Sequence, residues 1–352
     1  MNPNTPRMRW LKDMYPGYFT LTMATGIISL GMGLLHMPSL ASVMYAITML
    51  SWAVLFVIYM ARLVLFPGTV AADVLNPRQT FNFFSFVAGT SVAGLLLHYH
   101  GHDNLAILCW AIAFVAWLAL LYFSFGVLTL VHGERNLKIV DGGWLICIVG
   151  TQSLVLLGLQ IFPLLGDFGP AMMLLILTLW GLGLILYGIF VTLFCYRIFF
   201  NEMELEDYTP QMWVIMGAAA ISTNASSAIE MAEPNLSILY EIHPVIESVA
   251  LITWAWATWW IPLLLLISYW KHITHRIPLR YDPRQWSIVF PIGMYTVASI
   301  QLSLAVEIDP LHWASHVIVW VALGVWGLLI AALLRRITRW FITERVDTVD
   351  QG

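Results

Sequence analysis

Ten long apolar stretches run through this 352-residue chain, and they alternate between two kinds. One kind is lean, rich in Gly, Ala, Ser and Thr; the other is fat, rich in Leu, Ile and Trp. The lean stretches begin near Gly17, Thr80, Gly142, Pro210 and Arg284, so one lean and one fat stretch form a unit of roughly 60 to 75 residues that recurs five times. A helix needs about 20 apolar residues to cross about 30 Å of hydrocarbon. The candidate spans are about 17–36, 40–66, 79–98, 104–131, 142–165, 170–198, 210–231, 245–270, 284–306 and 312–340. Sixty per cent of the residues are hydrophobic and ten per cent charged, a balance that would leave a soluble domain of this size with a largely apolar surface. The expected fold is therefore all-α and integral to a membrane. Ten transmembrane helices form five helical hairpins in a quasi-five-fold ring, with five inner helices around a central pore. Residues 1–16 would be a cytoplasmic segment, 17–341 the transmembrane pore domain and 342–352 a cytoplasmic tail.

Charge placement sets the orientation, because Lys and Arg in short loops are retained on the cytoplasmic side. All sixteen, from Arg7, Arg9 and Lys12 to Arg335, Arg336, Arg339 and Arg345, fall at the termini or after even-numbered spans. Both termini are thus expected in the cytoplasm of a cell with this protein in its inner membrane, as a multi-pass protein. The first span lacks a small-residue cleavage site and is read as a retained helix, not a signal peptide. Cys109, Cys147 and Cys195 lie inside spans and read as packing residues.

Four lean stretches carry an aromatic near the cytoplasmic start and a glycine about two turns deeper: Phe19 with Gly26, Phe83 with Gly89, Trp144 with Gly150, and Trp286 with Gly293. The fourth repeat departs, with Trp213 only four residues from Gly217. Small residues let membrane helices approach closely in any bundle. The fat stretches, counted with Trp10, hold fourteen of the seventeen Trp, and that segregation favours a lining role for the lean ones. Candidate lining residues are Phe19, Thr22, Gly26, Ser85, Gly89, Gly150, Gly217, Ser222 and Gly293. Apart from Arg284 at the start of the fifth, no lean stretch contains a charged side chain before Glu230 and Glu307 at the far ends of the fourth and fifth. Charges in mid-membrane mark relays and ion coupling, so a lining that is polar but uncharged suits conduction better.

Three motifs, Pro16-Gly17-Tyr18-Phe19 leading into Met23-Ala24-Thr25-Gly26-Ile27, Met216-Gly217-Ala218, and Phe290-Pro291-Ile292-Gly293-Met294-Tyr295, resemble the tellurite-resistance/dicarboxylate transporter family, which includes the plant slow anion channels. The resemblance covers about residues 15–340. It implies a gated anion channel passing small anions through a central pore occluded by a phenylalanine, commonly in a homotrimer and without a cofactor. It also implies that Phe290 is the gate and Pro291 its neighbour. Pro291 lacks the N–H that would bond the Ser287 carbonyl, so a disrupted helix is expected there, turning the ring toward the axis. The alternative reading is a coupled transporter or exporter of dicarboxylates such as malate, of sulfite or of oxyanions. An enzyme would need a clustered polar site; the acidic run Glu202, Glu204, Glu206, Asp207 reads instead as a solvated loop. Small anions and membrane lipid are the expected partners, with no nucleic acid.

The opposite face has no Lys or Arg but carries Asp103, Asp167, Glu233, Glu241 and Asp309, which should repel anions. His36, His98, His100, His102, His243, His312 and His316 lie there too. His36, His98 and His100 are candidates for sensing pH, since protonated imidazoles would supply positive charge at that mouth. The run from His98 to His102 closes no recognised metal spacing, and no metal is expected. Glu230 and Glu247 are candidates to face each other at this mouth.

Overall fold

Each lean segment enters its helix through a short turn of i→i+3 hydrogen bonds. In the first, the amides of Thr20 and Leu21 bond the carbonyls of Gly17 and Tyr18; the others pass through 3-10 turns at Thr80–Phe83, Gly142–Leu145, Pro210–Trp213 and Pro283–Gln285. Two of these turns are capped from their own sequence. Asp141 accepts from the Gly143 amide at 2.7 Å, and Asp282 from the Arg284 amide at 2.9 Å, each satisfying a donor that a helix start leaves without a partner.

The computed structural model describes residues 6–131, 137–232, 237–307 and 309–349. Among these there is no strand. The α-helices are α1 (Pro6–Lys12), α2 (Thr20–Leu34), α3 (Pro38–Leu65), α4 (Pro67–Leu75), α5 (Phe84–Tyr99), α6 (Asp103–Gly126), α7 (Ile146–Ile161), α8 (Gly169–Phe200), α9 (Val214–Glu230), α10 (Ser237–Tyr269), α11 (Trp286–Ala305) and α12 (Asp309–Val349). Among the described residues, eight segments are long and apolar enough to cross a membrane, and Thr20–Leu34 is a shorter apolar helix. One of the eight, Gly142–Phe200, contains both α7 and α8, separated by a turn in which Gly166 takes φ 52°. The short helices α1 and α4 were not anticipated, and α12 runs on to Val349, through most of the segment read as a tail.

Composition decides which helices are covered. The lean segment Pro210–Glu230 is 94% buried across its most apolar window, whereas the fat segment Asp309–Trp340 is 11% buried. A helix apolar on every side and largely exposed is one solvated by lipid. The lean helices pack on one another in cyclic order, α2 on α5, α5 on α7, α7 on α9 and α9 on α11, and α11 returns to α2. Each fat helix packs on its own lean partner.

Glycine permits the close approaches. A Cβ added at Gly89 would stand 3.2 Å from the Phe19 carbonyl oxygen, and one at Gly150 would stand 3.3 Å from that of Phe84, the same contact one repeat on. Gly26 faces Val92, Gly293 faces Ile27, and Gly217 leaves room for the Pro291 ring, 2.8 Å from where its Cβ would be. All five glycines named from the sequence thus sit where one lean helix meets the next. Gly142 is the tightest, its added Cβ only 2.2 Å from the Gln211 carbonyl oxygen.

Gly142→Ala should therefore cost about 1–3 kcal/mol, since backbone must move to admit the methyl group. Gly181→Ala, with open space around the added carbon, should stay within about 0.5 kcal/mol of the parent. Thermal unfolding in detergent compares the two, and equal midpoints would show that the close approach at Gly142 is not required.

Candidate functional site

Five tryptophans fasten the fat helices to the lean ones. The indole N–H donates to a hydroxyl oxygen of the next repeat in every case: Trp52 to Thr90 (3.1 Å), Trp117 to Thr151 (2.8 Å), Trp180 to Ser226 (2.9 Å), Trp254 to Ser299 (2.9 Å) and Trp326 to Thr25 (2.9 Å). The last bond joins α12 to α2. Thr22 also looks outward, sharing a hydrogen bond with Ser51 of α3 at 3.1 Å. Ser222 turns its hydroxyl back to the Ala218 carbonyl, within its own helix.

Another set of polar atoms on the lean segments has no protein partner. Ser85 Oγ, Ser91 Oγ, Asn224 Oδ1, Ser227 Oγ and Ser287 Oγ are buried and unbonded. Leaving such atoms dry costs about 1–3 kcal/mol each.

Phe290 is the fifth residue of α11 and is fully buried. It lies about 6 Å along the axis from the helix start. The helix expected to break here is continuous from Trp286 to Ala305. Proline in the second turn removes a single backbone bond, and its ring is received by the gap at Gly217. Phe19, at the start of α2, is likewise fully buried and meets Tyr59 and Phe86 edge-on at 5.1 and 5.2 Å.

The turns that open the lean helices converge on a polar network that the helical pattern of the sequence does not single out. Gln211 Nε2 donates to Tyr15 Oη at 2.9 Å and to Asn82 Oδ1 at 2.8 Å, tying the fourth repeat to the first and second. Asn82 Oδ1, Gln211 Nε2 and Asp141 Oδ1 all crowd the position a Gly143 side chain would take, at 2.6, 2.6 and 2.8 Å. Loss of water around Asp141 pushes its carboxyl up to about 6, against the pull of the Gly143 amide and of Arg197, Arg284 and Arg78. Burial, then the Asp141 charge, hold the Tyr15 phenol well above its usual range. The signal was one residue type: a carboxylate directly before Gly142-Gly143.

Basic residues gather on the same face. Arg62 binds Asp73 at 2.6 Å and Arg197 binds Asp207 at 2.6 Å, each at the end of a fat helix. Asp207, one of the acidic run 202–207, also accepts from the Glu204 amide and so closes a turn. A cavity of about 460 Å³ opens beside the network, with Lys271, Arg280, Arg284 and Arg336 among its walls. On the opposite face His36 and His100 share a recess, where His100 stacks on Tyr45 with ring centres 3.8 Å apart. His98 stands apart from them, its Nδ1 at 2.7 Å from Asp103 Oδ1. Glu233 lies outside the described residues.

Apolar helices long enough to cross a membrane, with buried polar side chains among them that are almost all uncharged, define a multi-pass membrane protein. The chain belongs to the voltage-dependent anion channel family, which it matches over residues 13–334. It is similar to an uncharacterized membrane protein of Mycobacterium tuberculosis, 37% identical over 142 residues that make up 40% of this chain and 71% of that one. Two proteins of Methanocaldococcus jannaschii, both named uncharacterized transporters, match more of the chain. One is 21% identical over 90% of this chain and 92% of its own, the other 23% identical over 83% and 85%. Members of this family are channels or transporters of anions.

Two measurements probe the site. A double-mutant cycle of Trp254→Phe with Ser299→Ala should give a coupling of about 0.6 kcal/mol, at most about 1.7, the range for hydrogen bonds between membrane helices; a coupling of zero would make the bond incidental. Asp141, whose carboxyl is raised in the folded state, adds stability that is full below its ordinary value and is lost as pH rises through about 6. Asp141→Asn should therefore flatten the fall in melting temperature between about pH 4 and 6.5, and an unchanged profile would assign that fall to other groups.

Proposed function

We propose that the chain is a gated anion channel of the inner membrane. Its five lean helices line a central pore in a quasi-five-fold ring, and Phe290 closes the pore. The reading rests on one observation above others. Five lean-helix hydroxyls are bound by tryptophan and that of Thr22 by Ser51, while Ser85, Ser91, Asn224, Ser227 and Ser287 keep buried atoms that no protein group satisfies. Water or a passing ion in a lumen would satisfy them, and a pore conducts through weak, multiple contacts of this kind. Ten crossings follow if α7 and α8 count separately and α2 is completed by its opening turn, and the placement of Lys and Arg supports both termini in the cytoplasm.

The basic face would be the cytoplasmic entrance. Lys271, Arg280, Arg284 and Arg336 raise the local anion concentration there, and the lean helices direct the positive ends of their dipoles the same way. A phenyl ring at the narrow level of Phe290 excludes the water an ion would bring with it. The family resemblance supports a homotrimer and a small-anion cargo such as chloride, sulfite or malate.

A coupled transporter is the second reading, and Asp141 is the observation that favours it. A carboxyl that titrates near pH 6 where several repeats meet could take up a proton with each transport cycle.

Anion efflux from liposomes separates these readings. Phe290→Ala should raise the rate about tenfold or more if the ring is the barrier; an unchanged rate removes Phe290 from the gate. A channel's reversal potential follows the anion gradient alone. Dependence on the proton gradient, abolished by Asp141→Asn, would establish coupling instead.

A further inference from the structure

Glu230 ends α9, and His243 and Glu247 follow on the neighbouring α10, four residues apart and so on one face of that helix. One ligand atom from each of the three lies within 4.8 Å of the others. His243 Nε2 is 2.8 Å from Glu230 Oε1, which leaves Glu230 Oε2 buried and without a partner. The Glu230 side chain is 8% exposed and that of His243 is 51% exposed, so the cluster has a sheltered floor and an open side. Glu247 is exposed beside it.

Two carboxylates held this close repel each other, and a carboxylate oxygen shut off from water without a donor is costly. His243 serves one oxygen of Glu230 and cannot serve the other. The chain offers no remedy of its own nearby: no Lys or Arg occurs anywhere from residue 198 to residue 270. The missing element is a positive charge that binds several oxygens and a nitrogen at once.

We propose that Glu230, His243 and Glu247 form a binding site for a first-row divalent cation of the zinc class, at the face that lacks Lys and Arg. One imidazole and two carboxylates make a mixed nitrogen and oxygen donor set suited to Zn²⁺. Mg²⁺ and Ca²⁺ prefer shells of oxygen alone. Three protein ligands leave a fourth position for water, on the open side that His243 and Glu247 share. In the absence of metal, the hydrogen bond from the imidazole to Glu230 holds Nε2 pointed at the carboxylate it would join as a ligand. The bound cation would cancel the charge of both carboxylates, one and two turns above the unpartnered Ser227 and Asn224 on α9. The site stands independently of which anion the protein carries, and of whether it is a channel.

The test is metal binding by the purified full chain in detergent, with Co²⁺ as the spectroscopic probe and Zn²⁺ as competitor. One Co²⁺ per chain is expected, with visible absorption typical of mixed nitrogen and oxygen ligation, displaced by Zn²⁺ but not by Mg²⁺. His243→Ala and Glu247→Gln, both at exposed positions, should each weaken binding by about tenfold or more. Glu230→Gln should do the same, with a melting curve to confirm that the buried change leaves the fold intact. The double variant His98→Ala/His100→Ala should bind as the parent does. Absence of saturable binding below about 0.1 mM, a dissociation constant worth about 5.5 kcal/mol, would overturn the proposal. So would binding that survives His243→Ala together with Glu247→Gln.

Discussion

A polar group that faces outward from an inner helix of a membrane protein has no water to turn to, and everything in this architecture depends on how that is resolved. Here the answer is an indole. Trp52, Trp117, Trp180, Trp254 and Trp326 each bring one N–H to the hydroxyl that needs it. Tryptophan suits the task because the rest of its ring is large and apolar and is at home among lipid-facing helices. Each bond is worth little by itself, about 0.6 kcal/mol on average between membrane helices. Their value lies in placement, since each links a fat helix to the lean helix of the following repeat. Five such links carry the chain round until α12 meets α2.

Once those hydroxyls are tied outward, the lean helices can be brought together by what they lack. Gly89 and Gly150 rest on the carbonyls of Phe19 and Phe84, and Gly217 admits the ring of Pro291. Bulk at these points would separate the helices and open gaps that lipid would enter. At the basic face the same closeness is achieved with hydrogen bonds. Gln211 reaches Tyr15 and Asn82 across a floor that Gly142 and Gly143 keep free of side chains.

The division into lean and fat helices was legible in the sequence because it is compositional, and composition survives without knowledge of contacts. The pairing of tryptophan with hydroxyl was not legible. Four of the pairs are separated by 34 to 46 residues and the fifth by 301, so no local spacing announces them. Thr22 shows the consequence: a hydroxyl on a lean helix looks like lining until Ser51 is found opposite it. Asn82, Asp141 and Gln211 escaped notice for another reason. They lie in the turns before the helices, where helical periodicity says nothing about direction. Pro291 stands out in the sequence, but α11 continues through it and its ring lies against Gly217, a contact that no local spacing signals. Glu230 and Glu247 were expected together, but only the fold adds His243, one turn before Glu247 on the same helix face.

The two faces of the molecule now pose opposite electrostatic problems, and the chain treats them differently. At the basic face the cations are numerous and are held by partners: Arg62 by Asp73, Arg197 by Asp207, Arg284 by Asp282. Pairing keeps each arginine in place while the net field of the face remains positive. A buried carboxyl in that field, Asp141, is still pushed toward its neutral form, because loss of water outweighs the attraction of the surrounding guanidinium groups. At the other face the carboxylates have no arginine to meet them. Glu230 receives one hydrogen bond where two oxygens need partners. Adding a lysine there would compete with the rule that orients the whole chain, since a positive loop is held on the cytoplasmic side. Positive charge at that face therefore has to come from groups invisible to the orientation rule, such as an imidazole or a cation acquired after insertion. Three side chains within 4.8 Å of one another, two acidic and one an imidazole, provide the donors for either.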